Sequence, residues 1–302
     1  MRYLLSFALL LAVAVACQPS DPETPRIRLT YNDTLYYKNL STNPQADPVT
    51  KPAEPGFFRA IPLGLSIDSL TGRVNINSSE GGLRYKIYYI SADQSTVLDS
   101  SKLIVSGIDY RDSIYSLASA GALAIPIYNA NPTLQLPCDD DDTDDDDGDG
   151  DPDDDDCEFD EKDTDDDGDD EVPGVNPSGC KVDLDNGAID LEGSISSGLL
   201  GATPVNGATG DFEFFYRLTD ASSRNLQAIT VRFYYFNTRA DIPAALLAEL
   251  NNRDSQARDV ILRNPGGAIT MAPERTGSAY LRSVSETRAR PKRPPIIIIV
   301  GR

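Results

Sequence analysis

The segment from Asp139 to Glu171 most constrains what this chain can fold into. Its 33 residues contain 21 Asp and 3 Glu against a single base, Lys162. Like charges at this density repel one another and offer no apolar surface, so the segment cannot form a hydrophobic core. Its net charge of −23 exceeds the −21 of the whole 302-residue chain. The remainder is therefore nearly neutral, and we expect folded parts on both sides of the segment.

The chain contains neither His nor Trp. The absence of His excludes Ser/His/Asp and Cys/His catalysis, His-ligated zinc and a His-based pH switch. Carboxylate pairs, Ser/Lys pairs and metal-activated water are the catalytic arrangements that remain. Paired carboxylates are abundant only in the acidic segment, where we expect no folded pocket. We therefore predict that the protein is not an enzyme.

The first 16 residues predict an export signal. The apolar run Leu4–Ala16 is too short to span a membrane, which needs about 20 residues. Its end, Ala14–Ala16 followed by Cys17, resembles the bacterial lipobox, although Leu is commoner at position 14. The resemblance implies that Cys17 is diacylated and becomes the first residue of the mature chain. Ordinary signal-peptide cleavage at the same bond is the alternative.

A lipidated Cys17 predicts attachment to a membrane without crossing it, because several acyl chains anchor a protein stably. Residues 17–25 are polar and interrupted by proline, which predicts a flexible tether. Resemblance to lipoproteins of Gram-negative bacteria implies the outer membrane, exposed on the cell surface, with the periplasmic face as the alternative. No nucleic-acid partner is expected, because an exported, anchored protein does not meet one.

Residues 26–137 show the two-residue alternation of short strands, which predicts a β-domain. In the run Leu83–Ser91, alternation places Tyr85, Ile87 and Tyr89 towards the core and Tyr88 on the opposite face, towards solvent. Residues 61–76 resemble a segment of cadherin-like and immunoglobulin-like repeats of bacterial surface proteins. The resemblance, which extends over residues 57–110, implies a β-sandwich that spaces, presents or binds something.

Residues 181–302 predict a second β-rich domain. The runs Phe212–Leu218 and Ala228–Phe236 should pair as a hairpin, and Asp241 opens a short helix that ends at about Leu250. The apolar run Ile296–Val300 predicts a buried final strand. The predicted fold is thus mainly β, with two β-sandwich-like domains joined by an Asp-rich, largely irregular linker. The predicted divisions are a signal peptide at 1–16, a tether at 17–25, and domains or linker at 26–137, 138–180 and 181–302.

The acidic segment carries a pattern of calcium-binding loops. Calcium takes six to eight oxygen ligands, which short Asp side chains at alternating positions can supply, with Gly allowing the sharp turn. The pattern D-x-D-x-D-G-x-x-D-x-x-D is matched by Asp145, Asp147, Asp149, Asp153 and Asp156. A second, incomplete copy contains Asp163, Asp165, Asp167 and Glu171.

Both copies resemble thrombospondin type 3 repeats and dockerins, and the resemblance implies calcium as the cofactor. The excess of Asp over Glu and the Gly after each triad support calcium. In the second copy, Gly174 stands where the last acid should be. The alternative is a plain acidic spacer that binds no metal.

The chain has four cysteines. Lipidation of Cys17 leaves Cys138, Cys157 and Cys180, an odd number in an oxidising compartment. One disulfide and one free thiol are the simplest outcome, and the pairing stays open.

These observations predict a lipid-anchored, non-enzymatic surface protein with a calcium-stabilised interdomain segment, serving adhesion, presentation or structural spacing. The alternative is a glycan-binding lipoprotein that acts with an outer-membrane importer, with some of the 14 Tyr as stacking faces. In either case the partner, protein or glycan, remains unidentified.

Overall fold

The computed structural model describes residues 27–118, 121–138, 157–160, 174–260 and 294–301, with only the backbone of residues 254–260. The signal peptide, the tether and most of the acidic segment lie outside these ranges. The described residues are mainly β, which confirms the predicted fold class. Within the same ranges, no helix is long and apolar enough to span a membrane.

The strands are short and fall into several sheets. Those in the first part of the chain are β1 Thr30–Tyr31, β2 Leu35–Tyr36, β3 Gln45–Ala46, β4 Pro48–Thr50, β5 Gly56–Ile61, β6 Ser66–Ile67, β7 Val74–Asn75, β8 Leu83–Ser91 and β9 Val97–Val105. Those that follow are β10 Ile108–Tyr110, β11 Ser113–Ser116, β12 Leu123–Ala124, β13 Pro126–Tyr128, β14 Glu158–Phe159, β15 Lys181–Val182, β16 Ile189–Asp190, β17 Ala208–Arg217, β18 Gln227–Phe236 and β19 Ile296–Val300. The helices described are α1 Leu191–Ser196 and α2 Ala244–Val260.

The first hydrophobic core lies between a four-stranded sheet, in the order β2-β9-β8-β5, and a three-stranded sheet, β3-β7-β6. Strand β8 occupies the predicted residues, and its Tyr85, Ile87 and Tyr89 are fully buried in this core. Tyr88, expected to face solvent, is also buried. On the face of the sheet opposite the first core, Phe57, Ile61 and Val97 pack around Tyr88 and Ile90. Alternation predicted its face correctly but not the cover over that face.

The turn between β6 and β7 lies within residues 61–76, the segment that resembles repeats of bacterial surface proteins. The carboxylate of Asp68 accepts hydrogen bonds from the backbone N–H groups of Leu70 and Thr71, each at 2.8 Å. These bonds hold the pKa of Asp68 below its usual value. Gly72 has a positive φ of 79° and leaves no room for a side chain beside the ring of Phe58. Strands β6 and β7, on either side of this turn, pair antiparallel.

The second hydrophobic core lies on one face of a five-stranded sheet, in the order β11-β19-β18-β17-β14. The predicted hairpin is confirmed as β17 and β18, which pair antiparallel over most of their length. The predicted final strand is confirmed as β19, which lies parallel to both of its neighbours. Ile242 and Leu246 cover the opposite face of the sheet, so the predicted helix packs on it.

Ser194 and Ile195 lie in α1, because the Asp190 carboxylate accepts the Gly193 N–H and caps the helix. The predicted end of the second helix differs from the structure. Helix α2 extends beyond Leu250 as far as Val260. Asn251 and Asn252 lie within the helix, because each has a lower helix propensity than Ala without breaking a helix.

The hydrophobic cores do not follow the division expected at residue 137. Strand β11 pairs with β19, and β12 pairs with β16, so residues 108–118 and 121–128 pack with the second core. The chain passes from one core to the other at Ser106 and Gly107. Residues 157–160 and 174–180 also belong to the second core, and the acidic segment therefore does not connect the two cores.

Candidate metal-binding loops and their anchors

The acidic side chains predicted to bind calcium lie outside the described residues, as does Cys17. They are Asp145, Asp147, Asp149, Asp153, Asp156, Asp163, Asp165, Asp167 and Glu171. The structure does describe the residues at which each copy of the pattern begins and ends. These residues decide whether the acidic segment is an open spacer or a pair of closed loops.

The first copy is closed by a disulfide. Cys138 and Cys157 are bonded, with their Cα atoms 5.1 Å apart. We call residues 139–156, between them, the first acidic loop; 14 of its 18 residues are Asp and none is basic. The Thr219 hydroxyl donates to the Pro137 carbonyl and lies 3.8 Å from the Cys157 sulfur. Both ends of the loop are therefore fixed at one place on the second core.

The second copy is closed by hydrogen bonds to Asp160. This buried carboxylate accepts the backbone N–H of Val175 at 2.6 Å through Oδ1 and that of Asn176 at 2.8 Å through Oδ2. We call residues 161–173 the second acidic loop; it contains eight acids and one base. Charge-assisted hydrogen bonds to a buried carboxylate are among the stronger ones in proteins. The two ends of this loop are thus also held together.

Gly174 shows why the second copy lacks its last acid. A Cβ atom at this position would overlap the carbonyl oxygen and the carboxylate of Asp160. No side chain fits there while Asp160 keeps its bonds to Val175 and Asn176. The position that would complete the calcium pattern is therefore occupied by a residue that permits closure, and the second copy of the pattern has one acid fewer.

Strand β14 connects the two loops. Phe159 is fully buried and stacks on Tyr216, with the ring centroids 6.2 Å apart. Beside it, Glu158 forms an ion pair with Arg217 at 3.2 Å and a second one with Arg224. Only residues 157–160, with this strand at their centre, separate the end of the first loop from the start of the second. The two loops consequently leave the second core at neighbouring points.

Cys180 is the free cysteine among the described residues. Burial, followed by the nearby charge of Asp160, raises its thiol pKa to about 12. A thiol with so high a pKa stays protonated at neutral pH. Cys180 contributes to packing, 1 % exposed, next to the second loop's anchor.

The arrangement can concentrate oxygen ligands. Carboxylates on a short closed loop are held near one another at a cost in mutual repulsion, which a divalent cation relieves. The described ranges themselves contain no group of three or more His, Cys, Asp or Glu placed to hold a metal ion. The two acidic loops are the candidate metal site of this chain.

No known family model matches the chain, and no curated protein matches it.

A polar cluster joins the two cores, and no sequence pattern pointed to it. The carboxylate of Asp220 accepts the hydroxyl of Ser106 at 2.5 Å and that of Tyr128 at 2.9 Å. Burial, and after it the charge of Asp220, raises the pKa of Tyr128 and of Tyr37 above the usual value. Ser106 lies where the chain leaves the first core, so this cluster ties that crossing to the β17–β18 turn. Nothing in the local pattern around Asp220 distinguishes it from an ordinary turn residue.

Proposed function

We propose that this chain is a lipid-anchored, non-enzymatic surface protein that presents two calcium-binding loops on a β-rich scaffold. One observation carries the proposal: each acidic loop begins and ends at a single anchored point, by the Cys138–Cys157 bond or by Asp160. A plain acidic spacer needs no closure, because its purpose is to separate its ends. Closed ends instead suit loops that wrap a cation.

Calcium is the cation that the ligand chemistry favours. Asp carboxylates are hard oxygen donors, and Gly150 and Gly168 follow the alternating triads where a loop must turn sharply. In the first loop, Asp145, Asp147, Asp149, Asp153 and Asp156 would hold the ion. We expect the affinity of extracellular calcium modules, with a dissociation constant of about 10⁻⁴ to 10⁻³ M.

The positions of the anchors favour presentation or adhesion over spacing. Both loops are rooted on the second core, so calcium would order the loops without changing the distance between the cores. The Asp220 cluster and the direct crossing at Ser106 and Gly107 govern that distance. The acidic segment is accordingly proposed as a calcium-ordered surface for a protein or glycan partner.

The alternative, a glycan-binding lipoprotein that acts with an outer-membrane importer, has less support. Tyr88 was the side chain that strand alternation offered as an exposed stacking face. It is only 6 % exposed, with Lys86 lying over its ring at 5.0 Å. A planar face that is already covered is poorly placed to stack on a sugar.

Calorimetric titration of the mature full-length protein with calcium tests the proposal. The pattern variant replaces Asp145, Asp147, Asp149, Asp153 and Asp156 with Asn. The control variant replaces five other Asp residues of the same loop with Asn, namely Asp140, Asp142, Asp146, Asp151 and Asp154. It removes the same number of charges but keeps the pattern. We expect the pattern variant to lose the tighter class of sites and the control variant to keep it.

Two results would count against calcium binding. Equal loss in both variants would mean that the loop only attracts counterions, and no heat at about 5 mM calcium would remove the proposal altogether. The anchor is tested separately, by mass spectrometry of the native protein. We expect the mass of a chain that begins at Cys17 and carries acyl groups, and an unmodified Cys17 would contradict lipid anchoring.

A further inference from the structure

Strand β19 fills a slot in the middle of the five-stranded sheet. It lies between β18 and β11, and all five of its residues are buried. Ile297 and Ile299 enter the second core, while Ile296, Ile298 and Val300 pack on the opposite face with helix α2. Without β19, strands β11 and β18 would leave an apolar slot open along both faces of the sheet.

The chain connection does not force β19 into the slot of its own molecule. Both neighbouring strands run parallel to β19, so no tight hairpin ties it to either of them. Between Val260 and Pro294 lie 33 residues, which can span at most about 120 Å. A compact chain of 302 residues has a radius of gyration of only about 19 Å. The connection is thus long enough to reach a neighbouring molecule.

Polar groups of the slot hold the first residues of β19 by their backbone. Asp112 accepts the backbone N–H of Ile296 at 2.7 Å and the guanidinium of Arg253 at 3.0 Å through one carboxylate oxygen. Arg253 also donates to the carbonyl oxygen of Pro294 at 2.8 Å. The side chains of Asp112 and Arg253 are each 5 % exposed. We call Asp112 and Arg253 the polar lock. They bind the start of β19 and the residue before it through main-chain atoms.

The lock supplies a register that the side chains of β19 do not specify. Four consecutive Ile residues mean that a slip of two positions places Ile where Ile already stands, on the same face. Apolar packing alone hardly distinguishes such registers. The bonds of Asp112 and Arg253 to Pro294 and Ile296 do distinguish them, because a slip moves both main-chain groups away.

We propose that the slot between β11 and β18 is a strand-acceptor site that also takes the β19 of a second copy of this chain. The exchanged strand would make the same contacts with β11, β18, Asp112 and Arg253 as the molecule's own strand. Exchange of an identical element changes little except the entropy of the connection, which makes it a low-cost route to assembly. The proposal is independent of the calcium loops and of the lipid anchor.

Paired cysteine variants test strand exchange. Ser116 on β11 is the Cα partner of Val300 on β19. Full-length Ser116→Cys and Val300→Cys chains, with different tags, are unfolded and refolded together at high concentration under oxidising conditions. We expect a disulfide-linked heterodimer, because only exchange brings the substituted end of β19 in one copy beside the substituted end of β11 in the other. Mixtures of each variant with the wild-type chain control for the native cysteines.

The double variant Ser116→Cys/Val300→Cys shows whether the pair can bond at all. Full bonding within single chains, combined with no heterodimer from the mixed single variants, would overturn the proposal. Light scattering of the wild-type chain, refolded at high concentration, decides independently of any cysteine. A dimer or larger assembly is expected, and a mass that remains that of one chain would overturn strand exchange.

Discussion

The two acidic loops are closed by different means. The first, which carries the complete calcium pattern, is closed by a covalent bond, and the second, which carries the incomplete one, by a carboxylate that accepts two backbone N–H groups. The second closure uses one of the 21 Asp residues of the acidic segment. Asp160 lies in a run of acids, but its burial and its bonds to backbone N–H groups distinguish this structural acid from the potential metal ligands around it. The difference also predicts that the two loops respond to different perturbations.

The largest effect is expected when the covalent closure is removed. In Cys138→Ala/Cys157→Ala, the unfolded chain gains the freedom of a loop of about 20 residues, which costs about 3 kcal/mol of stability. Urea unfolding measures the change, and calcium titration should show weaker binding at the first loop only. Cys180→Ala is the control, because it removes a thiol that closes nothing. Equal weakening at both loops would mean that their closures are not independent.

The next effect concerns the non-covalent closure. Gly174→Ala places a methyl group against Asp160 and disturbs its bonds to Val175 and Asn176, which should cost about 2 to 3 kcal/mol. Gly121→Ala serves as a comparison that carries backbone strain without a close contact, because Gly121 has a positive φ of 69° and open space around it, whereas Gly174 has no positive φ. Backbone strain alone should cost the control about 1 kcal/mol. Equal losses in urea unfolding would show that Gly174 is not packed against Asp160.

Replacing the carboxylate itself should have a somewhat smaller effect. Asp160→Asn keeps one acceptor oxygen but loses a charge-assisted bond, with an expected cost of about 2 kcal/mol. Asp183→Asn is the matched control, since Asp183 also accepts two backbone N–H groups but is exposed. Its loss should stay near 0.5 kcal/mol, roughly the value for an exposed contact. Thermal or urea unfolding compares the two, and a control loss as large as that of Asp160→Asn would contradict the role of burial.

The smallest effect is expected at Asp211, an exposed acid on β17 of the five-stranded sheet. Asp211 is held by Arg232 through two bonds of 2.6 Å, which lower the pKa of its carboxyl. A lowered folded-state pKa contributes stability above the unfolded value of 3.8, and this contribution is lost as the pH falls below it. Because the pair is exposed, Asp211→Asn should cost only about 0.5 kcal/mol at neutral pH. Urea unfolding at pH 7 and at pH 3 should show this difference shrinking with acid, and a difference that grows would contradict the assignment.

Local patterns predicted much of the fold. Strand β8, the β17–β18 hairpin and β19 follow from alternation and from apolar runs, which depend only on neighbouring residues. The pairing of β11 with β19 could not be predicted in this way, because it joins residues far apart in the chain. The burial of Tyr88 depends likewise on side chains contributed by other strands.

The anchors of the candidate site were only partly accessible to sequence reasoning. Three cysteines allowed one disulfide, but the choice of Cys138 and Cys157 depends on their distance in the fold. Asp160 looks like any other Asp of the acidic segment, and only its place beside Gly174 distinguishes it. The proposed ligands themselves follow from spacing, and they remain a prediction.

The crossing at Ser106 and Gly107 affects the order in which the two hydrophobic cores can fold. Among the described residues, strands β1 to β9 pair only with one another, so these strands of the first core are all present once residue 105 is available. The second core includes β11, from residue 113 onwards, but its sheet is complete only when residues 296–300 arrive. A chain that emerges from its N-terminal end folds the earlier part first. As the chain is made, the sheet of the second core therefore stays incomplete until β19 follows.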